Sequence, residues 1–277
     1  MNLLSVFTVV HTLPEGQPVW GVTSLADEVY VLRGNDQVEV YDAITYRLQH
    51  CLALPNIRGF SDITSCEYYR CVYIANDIVK CIHRLRVQGT ATRWPVNDKP
   101  EGLSVNAAHN VLVTCREVRT IKEFSSHGDL LRELILPDDV VHPWHSVESR
   151  SGQIIVCHGV PDDAVHRVCK LGVSYGRCAR IFHTHGGQRG PDTDQYNVPI
   201  HLAVDNNEYV FVADFGNRRV KLLSPTLDYV RQFVLRDELK WKPNRLCLDS
   251  RRQRLYVAEN VSKNGAFTAG RVAMFSV

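Results

Sequence analysis

The stretch PIHLAVDNNEYVFVADFGNRRVKLLS (Pro199–Ser224) contains three short apolar runs separated by polar turns. The runs are rich in Val, Leu, Phe and Ala, and the first turn is Asp205-Asn206-Asn207, which is typical of a β-hairpin. The second turn carries an Asp, a Gly and two adjacent arginines, and could serve either structure or function. The stretch predicts three consecutive antiparallel strands.

The end of the second run recurs along the whole chain at a spacing of roughly 45 residues. The six copies are EVYVL (Glu28–Leu32), CVYIA (Cys71–Ala75), NVLVT (Asn110–Thr114), QIIVC (Gln153–Cys157), YVFVA (Tyr209–Ala213) and RLYVA (Arg254–Ala258). Each copy follows one strand-like run and precedes another, and five of the units have a fourth run. Four antiparallel strands in each of six repeats predict an all-β, six-bladed β-propeller.

The sixth unit reaches Val277 after only three runs. The apolar segment LSVFTVVHTL (Leu4–Leu13) could supply the missing fourth strand, which would close the ring and leave no exposed sheet edge. We therefore expect a single domain over residues 1–277. The predicted blades cover residues 18–55, 60–96, 100–137, 143–182, 199–235 and 243–277, the last completed by strand 4–13.

The composition excludes a strong overall charge. Lys and Arg number 32 against 30 Asp and Glu, so no whole-protein cationic field favours nucleic acid. Nine cysteines, an odd number without a CxxC pair, indicate thiols in a reducing cytoplasm. No apolar run is long enough to span a bilayer. We expect a cytoplasmic, monomeric protein without membrane contact.

The fifth unit resembles the NHL repeat. The residues that carry the resemblance are Gly187, Gly190, Gln195, Tyr196, Pro199, Ala203–Asp205, Val212–Asp214, Gly216, Asn217, Arg219 and Val220. The sixth unit keeps part of this pattern, and units one to four keep mainly its rhythm of strands. The resemblance implies a propeller similar to the C-terminal propeller of tripartite-motif NHL proteins, which bind proteins or RNA. Similar propellers are enzymes, such as amidating lyases and metal-dependent lactonases.

The Asp-Phe-Gly-Asn-Arg-Arg turn has degraded counterparts in other units, IANDIVK and VAENVSK, and repetition favours a structural role. Gly216 is expected to permit a tight turn with an unusual φ, and Asn217 to bond to the local backbone. The resemblance implies that Asp214 and Arg219 hold this loop together. Arg218 is the residue of the turn that we expect to be available to a ligand.

Two sets of loops should share the face that surrounds the mouth of the central channel. Aromatic and charged residues on these loops suit partner recognition, because Trp and Arg are frequent binding hot spots. The candidate binding residues are Trp20, Arg33, Asp62, Glu101, Arg116, Trp144, His145, His158, His201, Phe215, Arg218 and Arg245.

Four of these candidates form the main metal hypothesis. His145, His201, Asp62 and Glu101 would come from different blades and could converge on Zn²⁺ or Ca²⁺. The competing interpretation is a solvated pore rim, and on that interpretation we expect no cofactor.

Three functions stay open at this point. A non-catalytic scaffold that binds a protein partner is favoured by the varied aromatic and basic residues at the mouth. RNA binding is the alternative within the family, although many acidic residues oppose it. A metal-dependent hydrolase or lyase of the lactonase or amidating-lyase type is the enzymatic alternative.

Overall fold

The computed structural model describes residues 9–54, 58–86, 91–173 and 178–277. In this part of the chain, 24 strands form six four-stranded antiparallel sheets, so the predicted six-bladed propeller is confirmed. Among the described residues, no helix is both long and apolar enough to cross a membrane. The cysteines form no disulfide, and six of the nine are buried.

In each of the first five blades, the first strand in sequence is the innermost and the fourth is the outermost. Blade 1 contains β2 (Val19–Leu25), β3 (Glu28–Arg33), β4 (Gln37–Asp42) and β5 (Leu48–Ala53). Blade 2 contains β6 (Phe60–Cys66), β7 (Cys71–Asn76), β8 (Cys81–Arg86) and β9 (Thr92–Pro95). Blade 3 contains β10 (Gly102–Val105), β11 (Val111–Cys115), β12 (Thr120–Phe124) and β13 (Leu130–Ile135).

Blades 4 and 5 follow the same plan. Blade 4 contains β14 (Pro143–Glu148), β15 (Ile154–His158), β16 (Val165–Val173) and β17 (Ala179–Gln188). Blade 5 contains β18 (Pro199–Val204), β19 (Val210–Asp214), β20 (Arg219–Leu223) and β21 (Tyr229–Val234), with a 3-10 turn at Phe215–Asn217. The last strand of blade 4 extends beyond residue 182, where the sequence pattern placed its end.

Blade 6 is completed by the other end of the chain. Its first three strands are β22 (Lys242–Asp249), β23 (Arg254–Lys263) and β24 (Ala266–Ser276), and its outer strand is β1 (Val9–Thr12). Val9 pairs with Phe275, and His11 pairs with Met274. Closure by an N-terminal strand is therefore confirmed for residues 9–12, whereas residues 4–8 of the predicted strand lie outside the described residues.

Apolar side chains are buried between neighbouring blades. Each adjacent pair of blades in the described chain encloses one such cluster, and the cluster between blades 5 and 6 contains Phe211, Phe233 and Phe275. A middle strand of a blade is covered on both faces, which explains continuous apolar runs such as YVFVA. The small residues Ala75, Ala213 and Ala258 at the ends of these runs are fully buried, as close packing near the centre requires.

Candidate functional site

A β-bulge in the innermost strand sets the geometry of the channel. In five blades the pairing of the first strand with the second skips one residue, for example between Pro143 and His145 and between Pro199 and His201. A bulge redirects side chains by adding one unpaired residue to a strand. Two successive residues of each inner strand therefore project at two levels of the channel.

The upper level consists of the bulged residues, which we call the bulge ring. Glu101 takes the corresponding place in blade 3, directly before the first paired residue Gly102. The members of the bulge ring are Trp20, Ser61, Glu101, Trp144, Ile200 and Asn244, and all six line one cavity at the mouth of the channel.

The lower level consists of the residues that follow the bulge, which we call the axial ring. Its members are Gly21, Asp62, Gly102, His145, His201 and Arg245. The two glycines have no room for a side chain. A Cβ on Gly21 would lie 2.5 Å from Cγ2 of Ile63, and one on Gly102 would lie 2.6 Å from the backbone oxygen of Trp144. The four remaining side chains fill the centre of the propeller.

Asp62 is the anion at the centre of this ring. Its side chain is fully buried and accepts hydrogen bonds from the Leu103 N–H at 2.8 Å and from Nε of Arg245 at 3.2 Å. Burial alone would raise the pKa of Asp62, but the charge of Arg245 and the nearby His201 outweigh it and lower this pKa to about 2. Arg245 also donates to the Ser61 carbonyl at 2.8 Å, and so ties blade 6 to blade 2.

The two histidines of the ring stack with their centroids 3.7 Å apart. Nε2 of His145 lies 2.9 Å from the Leu103 carbonyl and donates to it, while Nδ1 accepts the Leu202 N–H at 3.4 Å. His201 accepts the Leu246 N–H at Nδ1, and its Nε2 lies 3.6 Å from Asp62. Burial lowers the pKa of His145 to about 3 and also lowers that of His201, so both rings are neutral at pH 7.

Three of the four metal candidates thus meet in one place. One ligand atom from each of Asp62, His145 and His201 lies within 4.8 Å of the others, whereas Glu101 lies outside this group. The donor chemistry does not fit a cation, because both nitrogens of His145 and Nδ1 of His201 already bond to backbone groups, and Nε2 of His201 faces Asp62. The guanidinium of Arg245 beside Asp62 would also repel a divalent ion.

The cavity above the axial ring has a volume of about 980 Å³. Its walls include the rings of Trp20, Trp144, Phe215 and Phe267. Phe267 meets Trp20 edge to face at 5.4 Å and Phe215 at 5.9 Å. These contacts hold the rings of Trp20, Phe215 and Phe267 against one another.

Cationic side chains of the protein cover part of this aromatic wall. The guanidinium of Arg116 lies 4.1 Å from the ring centroid of Trp144, and the ammonium of Lys242 lies 4.9 Å from that of Phe215. The indole N–H of Trp144 donates to the Gly159 carbonyl at 3.0 Å. The wall therefore attracts cations, and the chain itself supplies two of them.

A smaller cavity of about 340 Å³ lies on the opposite side of the axial ring. His145 and His201 contribute to its lining, together with Ser65, Ser104 and Cys247. Burial raises the pKa of Cys247 to about 11, so this thiol is not a ready nucleophile at pH 7.

Three residues that the sequence analysis predicted at the channel mouth contact other groups of the protein. Arg33 is buried and donates to Glu39 and to the carbonyls of Pro14 and Gly270. His158 is buried inside blade 4, beside the Cys169 thiol at 3.5 Å. Arg218 donates to the carbonyls of Leu239 and Lys240 in the connection to blade 6.

The reason for this placement lies in the position of these residues in the blade. Arg33 pairs with Val19 and His158 with Pro143, just as Asp214 pairs with Pro199. They therefore share the position of the structural Asp214, where the side chain lies under the loop that leads into the blade rather than over the channel.

Asp214 itself organises the Asp-Phe-Gly-Asn-Arg-Arg turn of blade 5. Its carboxylate accepts the Asn197 N–H at 2.8 Å, the Asn217 amide at 2.8 Å and Nε of Arg219 at 2.7 Å. Arg219 also donates to the carbonyls of Asp192 and Gln195. The left-handed residue of the turn is Arg218, with φ of 54°, so the expectation of an unusual φ at Gly216 is wrong. Gly216 is needed because a Cβ there would lie 2.3 Å from Cγ of Asn197.

Sequence reasoning missed several residues of the cavity. Phe267, Asp77, Ile78 and Asp36 contribute to the lining but were not among the candidates. Phe267 was missed because β23 and β24 pair as far as Lys263 and Ala266, well beyond the end of the repeated apolar run at Ala258. The Asn264-Gly265 pair, with both φ angles positive, marks the true turn and is visible in the sequence.

No protein-family model matches the chain, and no curated protein sequence matches it. Solved structures do match. A catalytically inactive virginiamycin B lyase from Staphylococcus aureus, with quinupristin, is 10% identical with a TM-score of 0.65, and the match covers 98% of each chain. The Cps50 (Swd1) β-propeller domain of Myceliophteria thermophila is 11% identical with a TM-score of 0.63 and covers 98% of this chain and 100% of that one.

A third match is a protein of unknown function from Bacteroides caccae. It is 14% identical with a TM-score of 0.61 and covers 84% of this chain and 86% of that one. At these identities the matches establish the propeller fold alone. The NHL type of the repeat remains a prediction from the fifth unit.

Proposed function

We propose that this chain is a non-catalytic recognition propeller that binds a protein partner in the cavity at the mouth of its channel. The observation that carries the proposal is the contrast between the two rings. The cavity presents a preformed aromatic wall, whereas the polar atoms of the axial ring below it are already bonded within the chain.

The state of the reactive side chains supports binding rather than catalysis. His145 is held neutral with both ring nitrogens engaged, so it has no free lone pair for a proton from a substrate. Burial raises the pKa of the Cys115, Cys157 and Cys169 thiols to about 12, which keeps them protonated at pH 7.

The size and lining of the cavity suit several side chains of a protein. About 980 Å³ lies at the upper end of the usual range for ligand pockets, which is roughly 300–1,000 Å³. Trp20 and Phe215 are half-buried, so each has ring surface left to bury against a partner. Rigid aromatic anchors of this kind lose little entropy on binding and dominate many interfaces.

The charges of the lining favour protein over RNA. Asp36, Asp77 and Glu101 line the cavity, against Arg58 and Arg245. The charge of Arg245 is balanced by Asp62 beneath it. RNA binding requires a surplus of positive charge to release counterions from phosphates, and this lining has none.

The proposal is tested by selecting displayed random dodecapeptides on the immobilised chain and measuring the affinity of recovered peptides by isothermal titration calorimetry. We expect micromolar binding that Trp20→Ala weakens by about tenfold or more, the usual effect of removing an aromatic hot spot. The control is Tyr68→Ala, which removes an exposed aromatic ring that does not line the cavity.

Two results would overturn the proposal. One is a selection that yields no peptide sensitive to Trp20→Ala. The other is a parallel selection of random single-stranded RNA that yields tight ligands whose affinity falls steeply with salt, because such ligands would assign the face to RNA.

A further inference from the structure

Glu101 is a carboxylate of the cavity lining that has few partners among the described residues. Its side chain is only 14% exposed and lines the cavity. Within the described residues, its carboxylate has one ion pair, to Nη2 of Arg116 at 3.6 Å, and that distance is too long for a hydrogen bond. Because Glu101 lines the cavity, a hydrogen-bond donor for this carboxylate can come from the cavity side.

Three other buried carboxylates show what a satisfied one looks like in this protein. Asp62 and Asp214 each accept bonds from backbone N–H groups and from an arginine. Glu259 accepts the Trp241 N–H at 2.7 Å and two nitrogens of Arg271, at 3.1 and 2.9 Å. Glu101 differs from all three because its surroundings include an open cavity instead of protein donors.

The surroundings of Glu101 add negative charge to the same part of the wall. Asp77 also lines the cavity, and its nearest cation, Lys99, lies 3.6 Å away and pairs with Glu117 outside the lining. Burial raises the pKa of Glu101 and the neighbouring Asp77 adds to this rise, although Arg116, Arg245 and Lys99 oppose it. The nearby cations therefore do not fully offset the loss of hydration at this carboxylate.

The contacts of Arg116 show which kind of group binds next to Glu101. Its guanidinium faces the ring of Trp144 and lies next to Glu101, but Arg116 does not line the cavity. Arg116 therefore approaches Glu101 from outside the cavity, and Arg116 supplies no hydrogen-bond donor on the cavity side of this carboxylate. A second guanidinium or an ammonium entering from the cavity would supply it.

We propose that the cavity binds a basic side chain of the protein partner, with its charged head on Glu101 and its alkyl stem along the aromatic wall. Arginine suits this site better than lysine, because its planar fork can bond to both oxygens of a carboxylate. Asp77 adds attraction for the cation, and the aromatic rings add cation–π attraction. This inference rests on the proposed function and names the group that is recognised.

The test uses fluorescein-labelled nonapeptide sublibraries that are random except at the centre, which is Arg, Lys, citrulline or Glu. Citrulline has nearly the shape of arginine without its charge. Binding is measured by fluorescence anisotropy against the wild-type chain, Trp20→Ala and two glutamate variants. Glu101→Gln removes the charge in the cavity, and Glu117→Gln makes the same substitution at an exposed carboxylate outside it.

We expect the Arg sublibrary to bind the wild-type chain about tenfold more tightly than the citrulline sublibrary, as for a desolvated charge-assisted contact. Glu101→Gln should abolish this preference, and Glu117→Gln should preserve it within about twofold. Thermal unfolding of each variant checks that the propeller is intact.

The outcomes separate this inference from the proposed function. Equal binding of all sublibraries, lost in Trp20→Ala, overturns the inference and leaves peptide recognition standing. A preference for Arg that survives Glu101→Gln also overturns it. If no sublibrary binds the wild-type chain, both the inference and the proposed function fail.

Discussion

The axial ring and the bulge ring lie one residue apart in the sequence of every blade, yet their charged groups differ in what they bond to. Asp62, His145 and Arg245 bond to groups of the protein across blade boundaries. In the bulge ring, Ser61, Trp144 and Asn244 also bond within the protein, whereas the carboxylate of Glu101 has only a 3.6 Å ion pair among the described residues and lines the cavity. The comparison indicates that the buried charges of the axial ring hold neighbouring blades together, and it is consistent with the proposal that recognition uses the cavity above them.

The largest expected effect is a fall in the free energy of unfolding when the central anion, Asp62, is removed. Asp62→Ala would leave Arg245 buried without its partner and the Leu103 N–H without an acceptor. Breaking one side of a buried pair costs about 3–5 kcal/mol. We expect the free energy of unfolding in guanidinium chloride to fall by that amount.

The matched control is Asp77→Ala, in the cavity above. Asp77 is 28% exposed and lies 3.6 Å from Lys99, so its removal should cost less than about 1 kcal/mol. Equal losses from the two variants would show that the axial ring and the cavity wall do not differ in the way described.

The second effect is a dependence of stability on pH that arises from His145. Its pKa is about 3 in the folded protein and about 6.5 in the unfolded chain. Between these values the unfolded chain binds a proton that the folded protein does not, so stability falls as the pH falls from 6.5. The slope from this residue is at most about 1.4 kcal/mol per pH unit.

Urea unfolding of wild type and His145→Gln between pH 7 and pH 4.5 measures this slope. We expect the variant to lose stability less steeply on acidification, while His127→Gln, at an exposed position, keeps the wild-type slope. A variant slope as steep as that of the wild type would mean that His145 is protonated in the folded protein.

The propeller could be predicted from sequence because it rests on repetition. Six copies of an apolar run and their polar turns are local features, and the ring closure follows from counting strands. The two levels of the channel could not be predicted, because they depend on bulges that shift the pairing by one residue. A shift of one residue turns a side chain to a new direction without any change in composition.

The candidate residues fall into those that sequence alone placed correctly and those that it did not. Asp62, His145, His201 and Arg245 meet at the axis, and Trp20, Glu101, Trp144 and Phe215 line the cavity. Arg33 and His158 were placed at the mouth because they follow the second strand. Aligning them with Asp214 by their distance from the opening proline would have assigned them to the structural position instead.

The smallest expected effect is the sharpest test of the comparison, because it sets two glutamates against each other. Glu259→Gln replaces a carboxylate that accepts three protein donors, and weakening charged hydrogen bonds of this kind should cost about 1–3 kcal/mol. Glu101→Gln replaces a carboxylate without a hydrogen bond and removes a desolvated charge, so the free energy of unfolding should stay within about 0.5 kcal/mol of wild type. Both variants are measured by urea unfolding at pH 7. A loss from Glu101→Gln as large as that from Glu259→Gln would show that Glu101 stabilises the fold as the axial ring does, and would leave the cavity without a charge held for a partner.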